Sequence, residues 1–156
     1  MLVKEKEKDY MDTLKEAQQK KRKPKKINFS SQPKNLALVE KLIDEICENY
    51  NINDDYYGNI LISITEAVNN AIQHGNKYDP EKCVEIAFES YHGMLCFSVK
   101  DEGAGFNYND LPDPTNPENI EKINGRGIFL MKNLADEVTF SKDGRIVELN
   151  FNISAN

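Results

Sequence analysis

Residues 66–76 read EAVNNAIQHGN (Glu66–Asn76), which places a carboxylate, two neighbouring amides, a histidine and a glycine in one short stretch. Glu66, Asn70 and His74 fall at i, i+4 and i+8, one stripe of an α-helix. A second stripe is apolar, made of Ile60, Leu61, Ile64, Val68, Ala71 and Ile72. The spacing predicts a helix over about Tyr56–Gln73 with one face in a core. Solvated faces usually mix Lys and Glu, whereas this one carries groups that ligate, accept protons or hydrogen-bond. The amide oxygen of Asn70 is a hard ligand suited to Mg²⁺. Glu66, one turn earlier, is placed to accept a proton from a hydroxyl or a water. His74 reads as a packing or hydrogen-bonding residue, since no second His or Cys stands near it. Read alone, the stretch also fits a polar helix face capped at His74–Gly75.

Two glycine loops lie further along. DEGAGF (Asp101–Phe106) ends a predicted strand, with Gly103 and Gly105 allowing a tight turn and close approach of a ligand. Asp101, at the strand end, is placed to accept a hydrogen bond from a bound group. Taken alone, D-x-G-x-G is a weak signal and reads first as an ordinary turn. NGRGIF (Asn124–Phe129) opens a predicted helix. Exposed N–H groups at a helix start, approached closely through Gly125 and Gly127, suit phosphate, and Arg126 adds a fixed positive charge. It also reads as a plain glycine-rich helix entry. It is neither a Walker A loop nor a dinucleotide fingerprint, because the G-K-[ST] and the preceding strand are missing.

The surrounding pattern is one of alternating elements. KINFSS (Lys26–Ser31) reads as a short strand. Residues 33–50 form an amphipathic helix opened by Pro33, with Leu36, Val39, Leu42, Ile43 and Ile46 inward. KCVEIAFES (Lys82–Ser90) and MLCFSVKD (Met94–Asp101) alternate as strands around a YHG turn. Residues 107–124 hold three prolines and many Asn and Asp, a long loop with one helical turn expected near Glu118–Lys122. GIFLMKNLADE (Gly127–Glu137) reads as a helix with Ile128, Leu130, Met131 and Leu134 inward. The last two strands are joined around KDG. The order β-α-α-β-β-loop-α-β-β predicts an α/β fold, a two-layer sandwich of a mixed, mostly antiparallel sheet with helices on one face.

The chain has 156 residues, enough for one domain with a sizeable core. No apolar run reaches the about 18 residues that cross a bilayer, and MLVKEKEKDY is too charged for a secretory signal. Three dispersed cysteines, Cys47, Cys83 and Cys96, point to reduced, partly buried thiols in a cytoplasmic protein. Charge is uneven. Residues 1–26 hold ten Lys or Arg against five Asp or Glu, net +5, and residues 27–156 hold ten against twenty-one, net −11. Residues 1–26 therefore read as a basic tail with only a marginal helix, and 27–156 as the domain. The run Lys20–Lys26 is either a solvated tail or a contact for an acidic partner or nucleic acid. The acidic body argues against direct nucleic-acid binding by the main domain.

ITEAVNNAIQHGN, DEGAGF and GRGIFLMKNLADEV, in this order, resemble the N, G1 and G2 boxes of the GHKL ATPase superfamily, and most closely its RsbW-type anti-sigma factor serine/threonine kinases. The resemblance covers roughly residues 27–152. It implies a Bergerat-type ATP-binding fold that uses ATP and Mg²⁺. Asn70 would hold the metal against the phosphates and Glu66 would act as general base. Asp101 would bind the adenine amino group in a pocket shaped by Gly103 and Gly105. Residues 107–124 would form the ATP lid, and Gly125–Gly127 would contact phosphate. Arg126 is preferred over Lys122 as the basic residue at the γ-phosphate. The implied partners are a STAS-domain anti-anti-sigma protein, a sigma factor and a second copy of the chain. A nucleotide-gated protein-binding module without kinase activity is the alternative, and Glu66 speaks against it. No phospho-accepting helix pair or transducer domain is expected, which disfavours histidine kinases, gyrase and MutL.

Overall fold

The computed structural model describes residues 2–21, 25–105 and 123–153. Nine regular elements follow in the order α1 (Leu2–Lys21), β1 (Lys25–Ser30), α2 (Leu36–Asn49), α3 (Asp54–Asn70), β2 (Cys83–Tyr91), β3 (Met94–Lys100), α4 (Ile123–Leu134), β4 (Glu137–Ser141) and β5 (Ile146–Asn152). A 3₁₀ turn at Pro33–Asn35 leads into α2. The expected lid lies outside the described residues, except that residues 123 and 124 belong to α4. The helical turn near Glu118–Lys122 also lies outside them.

The five strands form one sheet in the order β1-β2-β3-β5-β4. The mostly antiparallel sheet is wholly antiparallel among the described residues. The reason is topological. β3 and β4 run the same way, but the chain between them skips a position, and β5 then returns between the two. The two short turns behave as their residues dictate. His92 and Gly93 take positive φ between β2 and β3, as do Lys142, Asp143 and Gly144 between β4 and β5, which matches the right-handed twist of the flanking strands.

Alternation sorts the sheet into two faces. Val84, Ile86 and Phe88 of β2, Leu95, Phe97 and Val99 of β3, and Val147, Leu149 and Phe151 of β5 are buried. Phe88 and Phe97 are direct cross-strand partners with ring centroids 4.9 Å apart. The predicted inward residues of α2 and α3 complete this core: Val39, Leu42, Ile43, Ile46, Ile60, Ile64 and Val68. α3 starts where Asn53 caps it by accepting the Asp55 N–H at 3.1 Å. The Tyr57 hydroxyl donates to Asp44 and ties α3 to α2.

Several boundaries differ from the sequence expectation. β1 begins at Lys25, so the division after residue 26 falls inside a strand, with Lys26 paired to Ala87. The basic tail carries a full helix, α1, whose side chains at 3–13 are exposed and add nothing to the core. α4 ends at Leu134 rather than Glu137, because the Asp136 N–H donates to the Asn150 carbonyl and starts the β4 pairing. Ile128 and Met131 are buried as expected, but Leu130 is exposed, on the solvent side of α4.

Candidate nucleotide-binding site

α3 changes character where the unusual motif lies. It is α-helical to Asn70, and Ala71–Gly75 form a π turn closed by the Asn76 N–H on the Ala71 carbonyl at 2.8 Å. The wider turn breaks the 3.6-residue period, so the stripe from Glu66 through Asn70 does not continue in register to His74. π turns of this kind recur at functional sites.

The three motifs meet here. A cavity of about 170 Å³ opens between α3, α4 and the sheet. Ala67 of α3, Ala71 of the π turn, Ile128 and Met131 of α4, and Val99, Phe140 and Val147 of the sheet give it apolar walls. Asn70, His74, Asp101 and Arg145 supply the polar groups. That volume is below the roughly 300–1,000 Å³ of a pocket enclosing a whole drug-sized ligand. It suits a flat heterocycle whose remainder extends outward.

Asp101 follows β3 directly and is 8 % exposed. Its backbone N–H donates to the Arg145 carbonyl at 3.0 Å, and its Oδ1 accepts the Gly103 N–H at 2.8 Å. Burial pushes its carboxyl above the ordinary carboxylate value, opposed by the Gly103 hydrogen bond and by the charges of Arg145 and Lys82. His74 is held below the ordinary imidazole value by burial, and its Nε2 has no hydrogen-bond partner among the described residues. A neutral imidazole nitrogen without a partner at a cavity is a group left for a ligand or a water.

The glycines are required by protein neighbours as much as by any ligand. A Cβ at Gly75 would sit 2.4 Å from the Asp101 Cγ. One at Gly103 would sit 2.0 Å from the Gly75 carbonyl oxygen. Gly105, at φ +85°, would place a Cβ 2.4 Å from the Asp143 carbonyl oxygen, in the β4–β5 turn. One at Gly127 would lie 3.0 Å from the Asn70 Nδ2 and 3.1 Å from the Glu66 Oε2. Glu66 and Asn70 therefore converge on the same point of α4.

α4 begins at Ile123, so Gly127 lies in its second turn and not at its mouth. Helix geometry therefore engages the Gly127 N–H internally. Arg126 is exposed beside Gly127 and does not line the cavity. Lys122 lies outside the described residues. Sequence reading missed Arg145 and Phe140, because KDGR reads as turn chemistry. The only local signal was inward alternation along β4 and β5.

The histidine kinase-like ATPase domain family matches this chain over residues 29–151, and the chain belongs to that family. Its relatives include serine-protein kinases of the RsbW type. The serine-protein kinase RsbW of Bacillus subtilis is 28% identical over 118 residues, covering 72% of this chain and 74% of that one. The Staphylococcus epidermidis protein of the same name is 32% identical over 118 residues, covering 71% and 74%. Among solved structures, the RsbU and RsbW domains of a Mycobacterium tuberculosis protein superpose with a TM-score of 0.57 at 15% identity. That match covers 83% of this chain and 32% of the other, and it bears on fold alone. The fold is the Bergerat-type sandwich.

Proposed function

We propose that this chain is an ATP-dependent serine/threonine protein kinase and anti-sigma factor that phosphorylates a STAS-type anti-anti-sigma protein in a partner-switching system. The observation that carries the reading is the convergence of Glu66 and Asn70 on Gly127, beside a cavity that holds a buried Asp101. Adenine enters the apolar cavity, and Asp101 accepts its exocyclic amine, with Gly103 and Gly105 shaping the turn. The phosphates lead out past Asn70 to the N-terminal end of α4, where Gly125 allows close approach and Arg126 supplies a cation. Arg126 is the residue assigned to the γ-phosphate.

Asn70 offers one amide oxygen, a donor set that fits Mg²⁺, which takes most of its ligands from water and phosphate. When bound, the ion neutralises phosphate charge. Glu66 takes the proton of the acceptor hydroxyl. The hydroxyl oxygen then bonds to the γ-phosphorus as the bond to the bridging oxygen breaks, and ADP leaves. Such catalysis is mostly positioning and charge stabilisation.

The acceptor belongs to another protein. Phosphate adds roughly −1.5 to −2 charges, which the acidic region 27–156 repels, so the phosphorylated antagonist is released and the sigma factor is held instead. The working unit is a cytoplasmic homodimer of domain 27–156 with a basic segment before it. Among the described residues no helix is long and apolar enough to cross a membrane.

The test is to mix the purified chain, Mg·ATP labelled at the γ-phosphate and a candidate STAS protein, then follow label and complex lifetime. Label on a partner Ser or Thr, with release, is expected. Nucleotide binding without transfer would leave a nucleotide-gated binding module. Absence of nucleotide binding would overturn the reading altogether.

A further inference from the structure

Asn76 follows the π turn and is 1% exposed, the most deeply buried amide side chain among the described residues. Its side chain joins three segments. Its Nδ2 donates to the Ser31 Oγ at 2.7 Å and to the Cys83 carbonyl at 3.0 Å. Its Oδ1 accepts the backbone N–H of Glu102 at 2.7 Å. The Ser31 hydroxyl in turn donates to the Lys82 carbonyl at 2.7 Å, so it receives Asn76 as an acceptor. The amide orientation follows from this network. Flipping it would set the NH₂ against the Glu102 N–H and the oxygen against the Cys83 carbonyl. No other side chain of this size offers two donors and an acceptor in that arrangement. Aspartate lacks the donors, and leucine lacks all three.

The bond to Glu102 lies where the candidate site depends on it. Glu102 stands between Asp101 and Gly103, and this segment packs backbone-to-backbone on Gly75, the residue before Asn76. Gly75 touches the Asp101 carboxylate directly, and Gly103 touches the Gly75 carbonyl. Steric contact alone keeps the two segments apart at a minimum distance. The Asn76–Glu102 hydrogen bond supplies the attraction that holds them together. It also fixes the 101–102 peptide, and with it the following turn whose Gly103 N–H holds the Asp101 Oδ1 at 2.8 Å.

We propose that Asn76 is a positioning residue for nucleotide recognition, clasping Glu102 so that the Asp101 carboxylate stays aimed at the amino group of the bound base. This rests on the reading of Asp101 as the acceptor for the adenine amine. The role differs from general scaffolding in one measurable respect. It bears on discrimination for the amine and not on affinity for nucleotide as such.

The probe pair is ATP and purine ribonucleoside triphosphate, which lacks the exocyclic amine, each titrated calorimetrically with Mg²⁺ into the full chain. The unmutated protein should favour ATP by about tenfold or more, the size of one charge-assisted hydrogen bond. Asn76→Ala should bind ATP about tenfold more weakly, bind the amine-free triphosphate nearly unchanged, and so lose the preference. Asn76→Asp keeps an acceptor for Glu102 but loses both donated bonds. It should unfold at a lower temperature yet retain the preference.

A folded Asn76→Ala protein that still prefers ATP as the unmutated chain does would overturn the inference. So would one that loses affinity for both triphosphates equally. If Asn76→Ala does not fold, Asn76→Asp still decides, because loss of the preference there contradicts an acceptor-based clasp. Absence of preference in the unmutated chain would count against the reading of Asp101, a result distinct from either.

Discussion

Gly127→Ala separates stability from function at a single atom. In the second turn of α4, glycine costs about 0.8–1.0 kcal/mol relative to alanine. Opposing this, the new Cβ would stand 3.0 and 3.3 Å from the Asn70 Nδ2 and Oδ1 and 3.1 Å from the Glu66 Oε2. These are closer than ordinary van der Waals contact, but the atoms are the ends of flexible side chains. They yield by a few tenths of an ångström, which costs less than the roughly 1–3 kcal/mol of forcing a methylene into a rigid core. The two effects nearly cancel. The unfolding midpoint should stay within about 4 °C of the unmutated value, since about 1 kcal/mol moves a protein of this size by roughly 2–4 °C.

Function should not be spared. The displaced groups are the proposed general base and metal ligand, and a misplacement of about 1 Å costs on the order of 100-fold in rate. A shift of a few tenths of an ångström then corresponds to roughly tenfold slower phosphoryl transfer, with weaker Mg²⁺-dependent ATP binding. Thermal unfolding of the free protein, calorimetry with and without Mg²⁺, and label transfer to a STAS partner measure the three quantities. Full transfer activity in a stably folded Gly127→Ala protein would refute the reasoning. A large loss of stability would also refute it, by showing that Glu66 and Asn70 cannot move aside.

Further outcomes follow from the same geometry. Glu66→Ala should keep ATP affinity and lose transfer, whereas Asn70→Ala should also lose the Mg²⁺-dependent part of that affinity; calorimetry and label transfer on both variants distinguish them. Asp101→Asn should weaken ATP binding by about 10- to 150-fold, the equivalent of a charge-assisted bond of roughly 1.5–3 kcal/mol. Because burial raises the Asp101 carboxyl, its folded form holds the proton more tightly than the unfolded chain does. Its contribution to stability therefore falls as pH rises from the ordinary value of 3.8 through the raised one. Unfolding midpoints measured across that window should move in favour of Asp101→Asn as pH rises. His74 has the opposite sign. Its depressed value makes its contribution fully present above the ordinary 6.5 and lost as pH falls through the lowered value. His74→Gln should flatten that acid limb in thermal unfolding.

Much of this architecture is local and was readable directly. The apolar stripe of α3, the alternation of β2, β3 and β5 and both hairpin turns depend on neighbours within a few residues. Their periods and turn chemistry predict them without knowledge of the rest of the chain. The order and residue types of Glu66, Asn70, Asp101 and the glycine loops likewise pointed to nucleotide chemistry. The family match over residues 29–151 agrees with that reading.

The tertiary structure decided what those residues touch. Gly103 meets the carbonyl of Gly75, Gly105 meets the β4–β5 turn, and Gly127 meets Glu66 and Asn70. Arg145 enters the cavity from a segment that reads as a plain turn. Asn76 reaches 45 positions back to Ser31 and 26 forward to Glu102. Nothing in the local pattern marks such pairs, because side-chain period and turn propensity record only the near chain. Close packing of distant segments sets where a missing Cβ is needed and where a buried amide finds its partners.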